Sequence, residues 1–129
     1  MKDIIHCQYT GGTGVKVSKE ECKDLIFTAH DGTNERFTPG DVLCGALGAC
    51  ILTMMSVVAQ RKGAKLDGAD LTVHPSFDPQ NGRLTDVKLD IKLPADTPQA
   101  LRALYRAAVD ACPVHRSLNP EIRFTVNFI

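Results

Sequence analysis

The sequence predicts an α+β fold, because apolar residues alternate in several short segments but continue without interruption through one long segment. That long segment, residues 38–63, carries no charge between Asp41 and Arg61. Three strand-like segments precede it, and two follow it before a second helix and a last strand. The predicted order is therefore βββ-α-ββ-α-β, which fits an α+β protein better than a doubly wound sheet.

Length, charge and cysteine content set the class of protein. A chain of 129 residues predicts one domain, spanning residues 1–129. Fifteen basic residues balance fifteen acidic ones, so neither nucleic acid nor an anionic membrane is an expected partner. Five cysteines without paired spacing indicate a reducing compartment. Because the first residues do not resemble a signal peptide, we expect a cytoplasmic protein.

Three strands are predicted before the long helix. Residues 4–9 and 15–18 should form a hairpin around the turn of residues 11–14, and residues 22–29 should form the third strand. The glycine-rich turn is not a phosphate-binding loop, because no lysine and helix follow it at the required spacing.

The central helix has clear ends. Thr38 can cap it, Pro39 suits its first turn, and Gly63 suits its stop. Apolar residues surround the helical wheel, which predicts burial on all sides and hence a second subunit. One row of large side chains includes the central cysteine: Leu43, Leu47, Cys50, Met54 and Val57/Val58. A second stripe of small residues could admit another backbone: Gly45, Ala49 and Ser56.

The same helix contains 18 uncharged residues, 42–59, which is the lower limit for a membrane span. Two glycines and the lack of an aromatic belt weigh against that alternative. We therefore expect a core helix of a protein that does not enter a membrane.

The second half of the chain predicts a sheet covered on one side. Residues 70–77 alternate, and Pro75 places that strand at an edge or at its end. Residues 83–93 put apolar side chains on one face and charged ones on the other. Thr97 and Pro98 open a second amphipathic helix, which Pro113 ends. Residues 122–128 form the last strand.

Two cysteines occupy informative positions. Cys112 precedes Pro113 and should cap a short new helix, where backbone N–H groups and the nearby His115 and Arg116 would favour a thiolate. The alternative is that Cys112 is a small buried residue that ends a helix. Cys50 by itself is more typical of inert packing, because apolar surroundings raise the pKa of a thiol. We interpret Cys7, Cys22 and Cys44 as packing residues.

Metal and hydrolase chemistry are poorly supported. The sequence lacks a CxxC pair and an HxxxH pair, so we expect no metal site. Cys112 and His115 stand three residues apart in one tight turn, which is poor geometry for a nucleophile and a base that also needs an orienting group.

Several motifs together resemble the OsmC/Ohr family, which includes osmotically inducible protein C and the organic hydroperoxide resistance proteins. The resemblance covers nearly the whole chain and rests on three segments: residues 39–50, residues 59–63, and Cys112-Pro113-Val114 before the last strand. It implies an OsmC-like fold, an intertwined homodimer whose central helices pack back to back, and thiol-dependent peroxide reduction without a metal or organic cofactor. Cys50 then matches the peroxidatic cysteine, and Cys112 the resolving one.

The sequence departs from the active hydroperoxide reductases of this family at one pair of charged side chains. In those proteins an arginine of the N-terminal hairpin pairs with a glutamate near the start of the central helix, whereas the turn here contains no arginine. Asp41 stands at the acidic position, or Gly40 if the chain is aligned to the Ohr branch. Asp41 lies roughly 13 Å along a straight helix from Cys50. Arg36 is the nearest candidate for the missing cation. The chain therefore resembles the OsmC-like branch.

Two functions follow as hypotheses. The first is a peroxidase that reduces organic hydroperoxides, with hydrogen peroxide as a further substrate, through a sulfenic acid on Cys50 and a disulfide with Cys112 that a cellular dithiol reduces. The second is a non-enzymatic OsmC-fold dimer that binds a small apolar ligand, with incidental cysteines. Peroxide consumption by the pure protein separates them.

Overall fold

The computed structural model describes residues 4–12, 14–28 and 36–129, and its elements follow the predicted order, with a short third helix before the last strand. The chain divides into two compact units, Met1–Leu43 and Cys44–Ile129, which are described in turn. A single domain over residues 1–129 stays a prediction.

The N-terminal unit contains an antiparallel sheet of order β1-β2-β3. Its strands are β1 (Ile5–Gly11), β2 (Gly14–Lys19) and β3 (Leu25–Thr28). Gly11 and Gly12 both have positive φ, at 105° and 57°, which confirms the glycine-rich hairpin. The third strand starts later than predicted, because the chain turns after β2, where the Cys22 N–H donates to the Lys19 carbonyl. Position 29, included in the predicted strand, lies outside the described residues.

Helix α1 (Pro39–Arg61) has the predicted ends. Thr38 and Asp41 form a reciprocal cap: the Thr38 N–H donates to Asp41 Oδ2 at 2.9 Å and the Asp41 N–H donates to Thr38 Oγ1 at 3.1 Å. At the other end Gly63 has φ 64°, and the Ala64 N–H donates to the Ala59 carbonyl at 2.9 Å. The predicted start and stop are confirmed.

Within the described part of the chain, α1 is buried along one face. The buried residues recur about every turn: Cys44, Leu47, Gly48, Ile51, Met55 and Ala59. Leu43 and Val57 of the predicted row are 41% and 37% exposed. Burial on all sides would therefore require a partner. By length and composition α1 could span a membrane, but its buried face is that of a core helix.

The second unit contains a mixed sheet of order β4-β5-β6. Strand β4 (Asp70–Phe77) pairs antiparallel with β5 (Leu84–Lys92), and β6 (Arg123–Phe128) pairs parallel with β5. Pro75 therefore lies in an edge strand, as predicted. Val87, Leu89 and Ile91 on β5 are at most 1% exposed, and each buried side chain of this kind contributes about 1.5–3 kcal/mol.

The two remaining helices form the crossover between β5 and β6. Helix α2 (Gln99–Ala111) and the short α3 (Pro113–Ser117) meet at Cys112. One hydrophobic cluster joins α1, α2 and the buried face of β5. The opposite face of the sheet is polar, as predicted: Asn127 donates to Asp90 at 3.2 Å, and this bond is the main cause of the lowered pKa of Asp90.

Candidate active site

Cys50 lies at the edge of the buried face of α1. It is half-buried and packs against the hydrophobic cluster, while the next residue, Ile51, is fully buried. This placement follows from the helical period of 3.6 residues, since Leu47 and Ile51 define the centre of the buried face and Cys50 lies to one side of it. Cys50 is therefore in the core but not fully enclosed by it.

Cys112 occupies the turn between α2 and α3. Its backbone is extended, with φ −59° and ψ 124°, because a residue that precedes proline avoids the helical region. Pro113 then starts α3, so Cys112 is the N-cap residue as predicted. The thiol is completely buried, and its backbone N–H donates to the Val109 carbonyl at 3.3 Å.

The fold brings these two cysteines together. Both are free thiols, both belong to the same packed region, and the Cys50 thiol is a hydrogen-bonding neighbour of Cys112. They are 62 positions apart in the sequence, so only the packing of α1 against the end of α2 can make them neighbours.

The protonation state of Cys112 differs from the sequence-based expectation. Burial raises the pKa of the Cys112 thiol, and its interaction with Cys50 raises this pKa further. The backbone N–H groups of His115 and Val114 lower the pKa, but neither completes a cap hydrogen bond. The backbone groups therefore act in the expected direction, but desolvation outweighs them, and the pKa of Cys112 is raised rather than lowered.

The other two predicted site residues belong to the N-terminal unit. Arg36 is exposed and lies three residues before the start of α1. The Asp41 carboxylate accepts from the backbone at the N-terminus of the same helix. This contact assigns Asp41 a capping role that depends only on local sequence.

The remaining cysteines divide into two groups. Cys44 is buried, which confirms its interpretation as a packing residue. Cys7 and Cys22 are exposed, so the same interpretation is wrong for them within this chain. In the part of the chain that the structure describes, no group of three His, Cys, Asp or Glu side chains could hold a metal ion.

His115, which the sequence suggested only as a nearby positive charge, makes specific contacts beside the site. Its Nδ1 lies 3.0 Å from the Val109 carbonyl oxygen, and its ring contacts that of Phe124 on β6. The available signal was its position three residues after Cys112, which placed it in the same turn.

Fold and site define an α+β protein in which two helices cover one face of a mixed sheet and present a pair of adjacent free thiols. A scan against family models matches residues 32–127 to the family described as OsmC-like protein. The chain therefore belongs to the OsmC-like protein family, and the resemblance seen in its sequence motifs is confirmed.

Solved structures show the same fold. A Psychrobacter arcticus 273-4 protein named for osmotic stress induction and a detoxification response has a TM-score of 0.89 at 21% identity, covering 97% of this chain and 94% of that one. The OsmC like protein of Mycoplasma pneumoniae has a TM-score of 0.85 at 16% identity, covering 98% and 94%. The organic hydroperoxide resistance protein OhrB of Bacillus subtilis has a TM-score of 0.70 at 14% identity, covering 98% of each chain. No curated protein matches significantly by sequence.

Proposed function

We propose that this protein is a cytoplasmic thiol-dependent peroxidase that reduces organic hydroperoxides through Cys50 and Cys112. The observation that carries the proposal is the adjacency of the two free thiols, which α1 and the α2–α3 turn supply separately. Membership of the OsmC-like family supports it, as do structural neighbours named as organic hydroperoxide resistance proteins. Cys44, the other buried cysteine among the described residues, has no role in the proposed reaction.

In the first step, the Cys50 sulfur attacks the distal oxygen of the hydroperoxide and the O–O bond breaks. The sulfur is oxidised to a sulfenic acid, and the leaving alkoxide takes the proton lost by Cys50, which yields an alcohol. The apolar surroundings of Cys50 favour a substrate with an organic group. Hydrogen peroxide is the second substrate to test.

In the second step, the Cys112 sulfur attacks the sulfenic sulfur of Cys50. The S–O bond breaks, the S–S bond forms, and the departing hydroxide takes the Cys112 proton to give water. A raised pKa at Cys112 suits this order, because a neutral thiol competes poorly with Cys50 for the peroxide. A cellular dithiol then reduces the disulfide and is itself oxidised.

Assembly and activation complete the proposal. The exposed apolar residues Leu43 and Val57 support a homodimer in which the open face of α1 is covered by a second copy. Arg36 and Asp41 are the candidate cation and carboxylate that assist Cys50, supplied by either subunit. The protein needs no metal or organic cofactor for this chemistry.

The test is peroxide consumption by the pure protein with dithiothreitol as reductant. One equivalent of an organic hydroperoxide should produce a Cys50–Cys112 disulfide, detected by peptide mapping. Cys50→Ser should consume no peroxide, and Cys112→Ser should accumulate a sulfenic acid on Cys50. Cys7→Ser is the matched control, because it removes an exposed thiol and should leave the rate unchanged.

Arg36→Ala should slow sulfenic acid formation if Arg36 is the assisting cation. If the parent protein consumes no hydroperoxide while Cys50 stays reduced under excess oxidant, the peroxidase proposal fails. The non-enzymatic dimer that binds an apolar ligand is then the function to pursue.

A further inference from the structure

The His115 imidazole joins three elements at the turn that carries Cys112. Its Nδ1 lies 3.0 Å from the Val109 carbonyl oxygen near the end of α2. Because a carbonyl oxygen can only accept, Nδ1 must carry the proton in this bond. The ring centroid lies 4.1 Å from that of Phe124 on β6, with an angle of 50° between the ring planes. The imidazole is therefore held on two sides.

The Val109 carbonyl accepts a second bond from within the same turn. The Cys112 backbone N–H donates to it at 3.3 Å, which is longer than the usual backbone bond. Val109 and Cys112 are both completely buried while the imidazole is in place, so the protein itself supplies the donors to this oxygen. The shorter bond on this oxygen comes from His115, whose own backbone N–H faces the Cys112 thiol.

From these contacts we propose that His115 is a positioning residue for Cys112, an inference that rests on the proposed peroxidase function. By tying the end of α2 to the start of α3, the imidazole fixes the turn from which the Cys112 sulfur reaches Cys50. To attack the sulfenic sulfur of Cys50, the Cys112 sulfur must lie in line with the S–O bond that breaks. A small rotation of the turn would therefore slow disulfide formation. The imidazole contacts no reacting atom, and formation of the sulfenic acid does not depend on it.

Three substitutions of His115 distinguish the position of its N–H donor from the size of its side chain. His115→Asn places an amide N–H close to the position of Nδ1, whereas His115→Gln places it near that of Nε2, and His115→Leu supplies no donor. The ring also lines a surface cavity of about 220 Å³, which gives the longer glutamine side chain room. Disulfide closure should stay within about twofold of the parent rate in the Asn variant and slow by about tenfold in the Gln and Leu variants.

The measurement is a single turnover with one equivalent of organic hydroperoxide, quenched with an alkylating reagent and analysed by mass spectrometry. Sulfenic acid and disulfide populations give the two rates separately. In a Cys112→Ser background, His115→Gln should leave sulfenic acid formation unchanged. Glu121→Gln is the control, since the Glu121 side chain is exposed and pairs with Arg83, and it should leave both rates unchanged.

Closure in the Gln variant at the parent rate would overturn the positioning role, as would equal slowing in the Asn and Gln variants. If the Leu variant does not fold, the Asn and Gln pair still decides. Diamide, which oxidises two thiols to a disulfide while it is reduced to a hydrazine, drives the same closure without peroxide. If the protein consumes no hydroperoxide, the peroxidase proposal fails. Faster disulfide formation with diamide in the Asn variant than in the Gln variant would still support the positioning role of His115.

Discussion

Gly48 sets the distance between α1 and β4, and its substitution tests how closely the site-bearing helix is packed. A Cβ at this position would lie 3.1 Å from Leu71 Cδ2 and 3.3 Å from Val73 Cγ2. Carbon atoms prefer about 3.5–4.0 Å, so both neighbours would have to move by a few tenths of an ångström. Alanine gains about 1 kcal/mol over glycine in a helix, whereas overpacking costs about 1–3 kcal/mol.

For alanine, the gain in helix propensity and the cost of overpacking nearly cancel. Leu71 and Val73 are half-buried on an edge strand and can yield, so Gly48→Ala should change the free energy of unfolding by no more than about 1 kcal/mol. Gly48→Val adds two methyl groups beyond the Cβ of alanine and should lower the free energy of unfolding by about 2–3 kcal/mol. Urea unfolding followed by circular dichroism measures both.

The matched controls are Gly45→Ala and Gly45→Val. Gly45 is on the same helix, but a Cβ there would meet no atom within 4 Å among the described residues. Alanine should therefore stabilise the protein by about 1 kcal/mol, and valine should have little effect. Repeating the unfolding at tenfold dilution identifies any part of the change that comes from a subunit contact. Equal effects of valine at Gly48 and Gly45, in the part of the change that does not vary with dilution, would refute the packing argument.

Three further changes test the cap, the buried thiol and the proposed dimer. Asp41→Ala should lower the free energy of unfolding by about 1 kcal/mol because the Thr38 N–H loses its acceptor, and Asp41→Asn should recover most of this; equal urea stability of Asp41→Ala and parent would contradict the capping role. The folded pKa of Cys112 is raised, so its contribution to stability is complete below the ordinary thiol pKa of about 8.5 and is lost as pH rises through the folded value. Urea unfolding from neutral to alkaline pH should show a shallower decline in Cys112→Ala, and parallel curves would argue against the shift. Ala49→Arg should abolish the dimer or the soluble protein, because it places an unpaired charge in the proposed contact; sedimentation of the parent as a folded monomer would rule out that contact.

Much of the fold could be predicted because local signals agreed along the chain. Thr38, Pro39 and Gly63 marked the ends of α1, and β4 and its edge position followed from alternation and Pro75. The sequence could not predict which face of α1 is buried, because apolar residues occur on every side of this helix. The parallel pairing of β6 was likewise not predicted, since alternation indicates faces rather than neighbouring strands.

The candidate site was less accessible to sequence reasoning. The start of α3 could be predicted from Cys112 and Pro113. The protonation state of the Cys112 thiol could not, because desolvation depends on elements far apart in the chain. The role of His115 depends on its distance to Val109, which the angle between α2 and α3 sets. Pairing of Cys50 with Cys112 came from the family resemblance rather than from periodicity.

The crossover through α2 and α3 has a consequence for biosynthesis. Strand β6 pairs parallel with β5, so the sheet is complete only after Phe128 has left the ribosome. Until then β5 lacks its second neighbour, and His115 lacks the aromatic ring of Phe124. Non-local pairing of this kind is slow to form and leaves strand edges open to aggregation. Phe124, Val126 and Phe128 of β6 pack against the hydrophobic cluster that contains Cys112 and packs against Cys50, so this part of the surroundings of both thiols is completed last.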